Sequence, residues 1–92
     1  PSDFTIYDTD DSRSLLRTIV KEWGLDDKLY KANLVHGRIS IAKNNLIGPE
    51  EYLNNVELMA NDAASGREKL GEIYRQYAER CFRSAAMDFD DL

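Results

Sequence analysis

The residues best suited to do chemistry in this sequence are cations, and the chemistry is contact with phosphate. Lys28, Lys31, Arg38 and Lys43 lie between residues 28 and 49 with no acid among them. Ammonium and guanidinium groups without local acid attract phosphodiester oxygens. Elsewhere acid dominates, in clusters at Asp8/Asp10/Asp11, Asp26/Asp27, Glu50/Glu51 and Asp88/Asp90/Asp91. Each cluster reads as the start of a helix, where negative charge complements the dipole. With 12 Lys and Arg against 17 Asp and Glu, the net charge of −5 argues against a dedicated nucleic-acid-binding domain. A locally basic segment in an acidic chain is the feature to explain.

Catalytic chemistry is hard to assemble. His36 is the only histidine and Cys81 the only cysteine, so no Ser/His/Asp or Cys/His arrangement, internal disulfide or metal-ligand spacing can be drawn. Gly66 to Gly71 has the glycine spacing of a phosphate loop, but Glu72 follows where the loop needs lysine. Asp11-Ser12 opens a helix, as the serine of a phosphopantetheine carrier does. That serine would open a second helix, however, so Asp11-Ser12 reads as helix-cap residues. Cys81 reads as a small buried apolar residue. Asp88, Asp90 and Asp91 read as helix-start residues, not as metal ligands.

An extended lead-in and four or five helices must position these residues. Phe4-Thr5-Ile6-Tyr7 alternates but is short, and reads as an extended lead-in rather than a sheet strand. Thr9 or Asp10 then caps a helix to about Trp23, with Leu15, Leu16, Ile19, Val20 and Trp23 as its buried stripe. Arg13, Arg17 and Lys21 form a second, solvated stripe. Gly24 ends the helix with positive φ. A short helix or turn reaches Tyr30, and Lys31 to Leu46 reads as helix despite Gly37. Pro49 suits the first position of the next helix, which carries Tyr52 and Leu53 and extends toward Val56, Leu58 and Met59. Asn61 to Gly66 reads as a loop, and Ser65-x-x-Glu68 as a capping box for a last helix reaching about Ala85. Leu70, Ile73, Tyr74, Tyr77 and Cys81 share its inner face, with Phe82 beside them. Gly71 marks a weak point or a close helix contact. Tyr74, Tyr77 and Trp23 could stack on bases, but their helical spacing favours core packing.

The expected fold class is all-α: a small bundle of four to five helices in one domain, burying about 60–65% of its unfolded surface. No apolar run approaches 18 residues and no secretory segment is visible, so no membrane is implied. The unpaired Cys81 fits a reducing, cytoplasmic setting. Met87-Asp88-Phe89-Asp90-Asp91-Leu92 reads as a helix start with Asp88 as N-cap. With Pro1 in place of an initiator Met, that ending suggests a piece of a longer protein.

Three segments together resemble the UvrD/Rep/PcrA family of superfamily one DNA helicases. Phe4-Thr5-Ile6-Tyr7-Asp8-Thr9-Asp10-Asp11 is similar to the family's F-x-I-x-D-x-x-D/E stretch. Ile39-Ser40-Ile41-Ala42-Lys43-Asn44, followed by Leu46 and Pro49-Glu50-Glu51-Tyr52, is similar to I-S-x-A-K-N-x-L…P-E-E-F/Y. Met87 to Leu92 is similar to the x-D-F-D-D-L segment where the chain returns to the motor core. Asn45 departs from relatives that often carry acid there, and His36-Gly37-Arg38 is not a fixed family feature.

The resemblance implies accessory subdomain 1B, an insertion in the first RecA-like motor domain. It would span residues 1–92, with 1–8 as lead-in and 87–92 as the start of the return. It implies a parent that couples ATP and Mg²⁺ to 3′-to-5′ translocation, with DNA at a single-strand/duplex junction and the remaining helicase subdomains as partners. The catalytic and cofactor-binding motifs lie outside this sequence, so the fragment alone is expected to be inactive. Within the matching segment, Lys43 is the first candidate for a DNA-phosphate contact, and Ser40, three residues earlier, could serve the same backbone. Arg38, Asn44 and His36 complete the candidate set. Two other readings stand beside this one: a protein-interaction module docking a partner or another subdomain, and a free-standing carrier or adaptor.

Overall fold

A computed structural model describes residues 3–92. The order is β1 (Thr5–Tyr7), α1 (Thr9–Glu22), α2 (Ala32–Asn44), α3 (Pro49–Leu53), α4 (Val56–Ala64), α5 (Leu70–Arg83), β2 (Ala86–Asp88) and a 3₁₀ turn (Phe89–Asp91). The helices carry the fold, but the all-α expectation needs one correction. The lead-in is a strand: β1 pairs in parallel with β2, Thr5 opposite Ala86 and Tyr7 opposite Asp88. The pairing partner lies some eighty residues away and is only three residues long. Over three residues alternation is too brief to separate a paired strand from an extended lead-in.

α1 packs on both α2 and α5, and α3 packs on α5. The core joins Leu16, Ile19 and Val20 of α1, Val35, Ile39 and Ala42 of α2, Tyr52 of α3, and Leu70, Ile73, Tyr74, Tyr77 and Cys81 of α5. Each fully buried Leu or Ile contributes about 1.5–3 kcal/mol. Tyr52 and Tyr74 meet edge to face, ring centres 5.9 Å apart. Gly71 is a close-contact glycine: a Cβ there would lie 2.7 Å from Leu53 Cδ2 and 3.0 Å from Tyr52 Cδ1. Phe82, expected beside the inner face, points outward and is 84% exposed.

Backbone hydrogen bonding at the helix ends explains where the boundaries fall. Asp8, not Thr9 or Asp10, caps α1, in a reciprocal box in which Asp11 N–H donates to Asp8 Oδ1 at 2.8 Å and Asp8 N–H to Asp11 Oδ2 at 3.1 Å. Asn55 restarts the chain as N-cap of α4, accepting from Leu58 N–H at 3.0 Å, so the helix from Pro49 ends at Leu53. Residues 61–64, expected as loop, complete α4. The Ser65 capping box does not form. Gly66 takes φ +75°, its N–H bonds Ala63 O, and Arg67 N–H bonds Asp62 O. That pair of bonds is the Schellman closure of α4. Ser65 and Gly66 therefore end one helix instead of starting the next, and α5 begins after Lys69 with no side-chain cap. The same closure ends α1 at Gly24 (φ +66°) and α2 at Leu46 (φ +59°).

Candidate functional site

α2 carries every candidate DNA-contact residue, and the fold brings two of them onto the exit segment that runs from the last residue of β2 to Asp91. Lys43 Nζ lies 2.9 Å from Asp88 Oδ2 and 2.9 Å from Asp91 Oδ1. Its side chain is only 17% exposed. Nζ also stands 5.7 Å above the centre of the Tyr77 ring, within cation–π range. One turn earlier, Ser40 Oγ donates to Asp90 Oδ2 at 2.6 Å.

Asp88 is the hub, 2% exposed. Its Oδ2 accepts from Lys43 and from the Tyr77 hydroxyl at 2.7 Å. Ser12 Oγ lies 2.9 Å from that same hydroxyl. Its Oδ1 accepts from Asp91 N–H at 3.2 Å, while Asp88 N–H donates to Asp91 Oδ2 at 2.9 Å. Asp88 thus caps the 3₁₀ turn as expected, and the same carboxylate ties α1, α2 and α5 to the exit segment. Burial alone would raise the Asp88 carboxyl, but the Tyr77 and Lys43 bonds outweigh it and hold the group below the usual carboxylate range. Burial would likewise lower Lys43, yet the two carboxylates hold its ammonium above the ordinary lysine value. Burial, reinforced by Asp88, raises the Tyr77 phenol despite the opposing bond from Ser12.

The other candidates are placed apart from this cluster. Arg38 Nη1 reaches Asp62 Oδ1 at 3.4 Å. Asp62 is 1% exposed, and its Oδ2 accepts from the Tyr52 hydroxyl at 2.6 Å. Burial first and this carboxylate second raise the Tyr52 phenol. Asn44 is exposed at the end of α2. His36 is half-buried beside a small cavity of about 110 Å³ that it shares with Ser12, Ser40, Phe89 and Asp90. Burial pushes the Cys81 thiol up, away from nucleophilic character. Among the described residues no group of three His, Cys, Asp or Glu side chains is arranged to hold a metal ion. Nor is any helix among them long and apolar enough to cross a membrane.

The link from Lys43 to Asp88 and Asp91 joins two of the three segments that carried the family resemblance, and β1 of the first segment pairs with β2, which runs into the third. Comparison with known proteins matches the whole chain, residues 1–92, to the UvrD/REP helicase N-terminal domain. The chain belongs to the UvrD/REP helicase family. It is 42% identical over 91 residues to the ATP-dependent DNA helicase UvrD1 of Mycobacterium leprae, covering 99% of this chain and 11% of that protein. Its identity to UvrD1 of Mycobacterium tuberculosis is 40% over 91 residues, with the same coverage. To the ATP-dependent DNA helicase PcrA of Bacillus subtilis it is 34% over 91 residues, covering 97% of this chain and 11% of that protein. The chain therefore spans about a ninth of the length of these UvrD/REP relatives. No solved structure matches it with significance.

Two parts of this UvrD/REP segment leave no local mark in the sequence. Asp62 sits in a stretch whose composition suits a loop, and its buried bond to Tyr52, ten residues away, has no local signal. The interior role of Asp88 was hidden because a cap residue needs no further partner.

Proposed function

We propose that the chain is accessory subdomain 1B of an ATP-dependent, 3′-to-5′ DNA helicase, a helical insertion in the first RecA-like motor domain. The match along the whole chain to a helicase N-terminal domain, with relatives named as ATP-dependent DNA helicases, carries this reading. The parallel pairing of β1 with β2 supports it. It brings the entry and the exit of the helical unit side by side, as an insertion into a larger body requires. ATP and Mg²⁺ would bind the parent outside these residues, and the segment itself would neither hydrolyse ATP nor unwind DNA. The working compartment would be the cytoplasm.

In this role α2 faces the DNA path. Asn44, His36 and Arg38 offer polar atoms near the surface, whereas Lys43 and Ser40 hold the exit segment through Asp88, Asp90 and Asp91. For Lys43 to meet a phosphate directly, its ammonium would exchange a carboxylate for it. Two variants of the intact helicase test this. Lys43→Ala removes the cation, and Asp91→Asn weakens the same tie while leaving the cation in place. A phosphate contact predicts that Lys43→Ala lowers DNA affinity and flattens its salt dependence with ATP binding intact, and that Asp91→Asn does not. Unchanged DNA affinity and unwinding in Lys43→Ala would remove Lys43 from the interface.

A second reading follows from exposed apolar side chains around the two-stranded ladder. Phe4, Ile6, Phe89 and Leu92 all lie open there. They suit a face that docks the remaining helicase subdomains. Variants Ile6→Ser and Phe89→Ser that leave the fold intact but loosen the assembled helicase would support that role.

A further inference from the structure

The positive charge that is free to meet a ligand is concentrated at the opposite end of α2 from Lys43. Seven of the 12 Lys and Arg side chains are ion-paired: Arg13, Arg38, Lys43, Lys69, Arg75, Arg80 and Arg83. Arg67 donates through Nε to Leu29 O at 2.7 Å. The rest are Arg17, Lys21, Lys28 and Lys31, all exposed and without an ion-pair partner among the described residues. Arg17, Lys21 and Lys31 line one open groove of about 740 Å³ between the end of α1 and the start of α2. Lys28 flanks it. Asp27 also lines it and Asp26 adjoins it, so the local balance is positive in a chain of net charge −5.

The groove has an aromatic neighbour. Leu25 lines both this groove and an adjoining hollow of about 400 Å³ shared with Trp23, Lys69 and Glu72. Trp23 is 38% exposed, so part of its indole faces solvent. A track of cations beside an open aromatic ring is the arrangement that binds single-stranded nucleic acid. The cations follow the backbone, and any unstacked base can lie on the ring. A duplex offers phosphates but no free base face, and an acidic peptide has no use for the ring.

We propose that this groove is a DNA contact distinct from the Lys43 segment, in which Arg17, Lys21 and Lys31 hold the phosphates of a single strand and Trp23 stacks on a base. It rests on the reading of the chain as part of a DNA helicase. The groove opens α2, whereas Lys43 lies eleven residues on, about 16 Å along the helix. A strand could therefore be gripped at one end of α2 while Lys43 stays engaged at the other.

Trp23 is the only tryptophan in the chain, so its fluorescence reports the site directly. The 92-residue chain is titrated with a 16-mer of thymidylate, following Trp23 emission and the anisotropy of a labelled oligonucleotide. The expected result is saturable quenching that weakens about 20-fold between 50 and 200 mM salt, as release from three single-strand phosphates requires. Arg17→Gln/Lys21→Gln/Lys31→Gln should flatten the log–log salt slope by about 2. Trp23→Ala should weaken binding about tenfold with the slope unchanged. Wild-type affinity and slope in the triple variant would overturn the proposal. If binding were lost instead in Arg38→Gln/Lys43→Gln, DNA binding would stand and the groove would fall. Binding of polyglutamate but not the oligonucleotide would overturn both the groove and the DNA reading. If circular dichroism shows that the isolated chain is unfolded, the same slopes are measured in the intact helicase, with the same outcomes.

Discussion

Replacing Lys43 by Met removes an ammonium from between two carboxylates while keeping the length of the side chain. Asp88, nearly inaccessible, then keeps only the Tyr77 hydroxyl and the Asp91 N–H as partners. Removing one member of a buried pair costs about 3–5 kcal/mol. Asp91 is one-third exposed, so water reaches one edge of the cluster. The loss should fall at or just below the lower end of that range, about 2–3 kcal/mol, out of about 5–14 kcal/mol for a domain of this size. In urea that moves the midpoint down by about 2 M. The sign with pH follows from the shifts. The Asp88 carboxyl is held below its unfolded value, so its contribution is present above about pH 4 and is lost as pH falls through the folded pKa. The Lys43 ammonium is held above its unfolded value, so its contribution is present below about pH 10 and is lost as pH rises through the folded pKa. The gap between wild type and Lys43→Met should therefore be flat from about pH 5 to 9 and narrow toward pH 3. Urea unfolding at pH 7 and pH 3 measures it. A midpoint shift below about 0.4 M at pH 7, or an equal shift at both pH values, would refute the reasoning.

The remaining expectations use the same unfolding assay, apart from the last. Gly71→Ala gains helix propensity but drives a methyl against Leu53 and the rigid Tyr52 ring, for a net loss of about 1 kcal/mol. Gly37→Ala meets nothing within 4 Å and should stabilise α2 by about 1 kcal/mol, so the two glycine variants should move in opposite directions. Asp62→Ala leaves the buried Tyr52 hydroxyl without its acceptor and should cost about 2–3 kcal/mol, whereas Asp62→Ala in a Tyr52→Phe background should cost clearly less. Cys81, buried and with its thiol pushed up, should react with a disulfide reagent only at the rate of opening, and much faster in denaturant.

What could be read from the sequence was whatever is encoded within a turn or two of chain. Leu16, Ile19 and Val20 announced the inner face of α1, and Ile73, Tyr74 and Tyr77 that of α5, because helical spacing alone selects a face. Gly24 and Pro49 marked an end and a start for equally local reasons. Pattern and structure part where one local signal has two uses. Ser65-Gly66 matches both an N-terminal box and a C-terminal closure, and the bonds to Ala63 O and Asp62 O decided for the second. Phe82 neighbours a buried stripe in sequence but turns to solvent. β1 needed a partner at the far end of the chain, and no alternation within Thr5–Tyr7 could supply it.

The candidate site shows the same division more sharply. Lys43 could be picked out by residue type and by resemblance, yet its environment is made by Asp88 and Asp91, more than forty residues later. A lysine read in isolation looks like free charge. Once the exit segment folds over α2, that charge is matched by two carboxylates, and the exposed cations left without an ion pair among the described residues are Arg17, Lys21, Lys28 and Lys31. Arg17 and Lys21 formed a stripe read as solvated, because a solvated stripe and a ligand-facing one have the same spacing. Only pairing distinguishes them. In an acidic domain the positions left unpaired carry more information about a polyanionic ligand than the positions richest in cations, because a long-range field arises only from charge that the fold has not already neutralised.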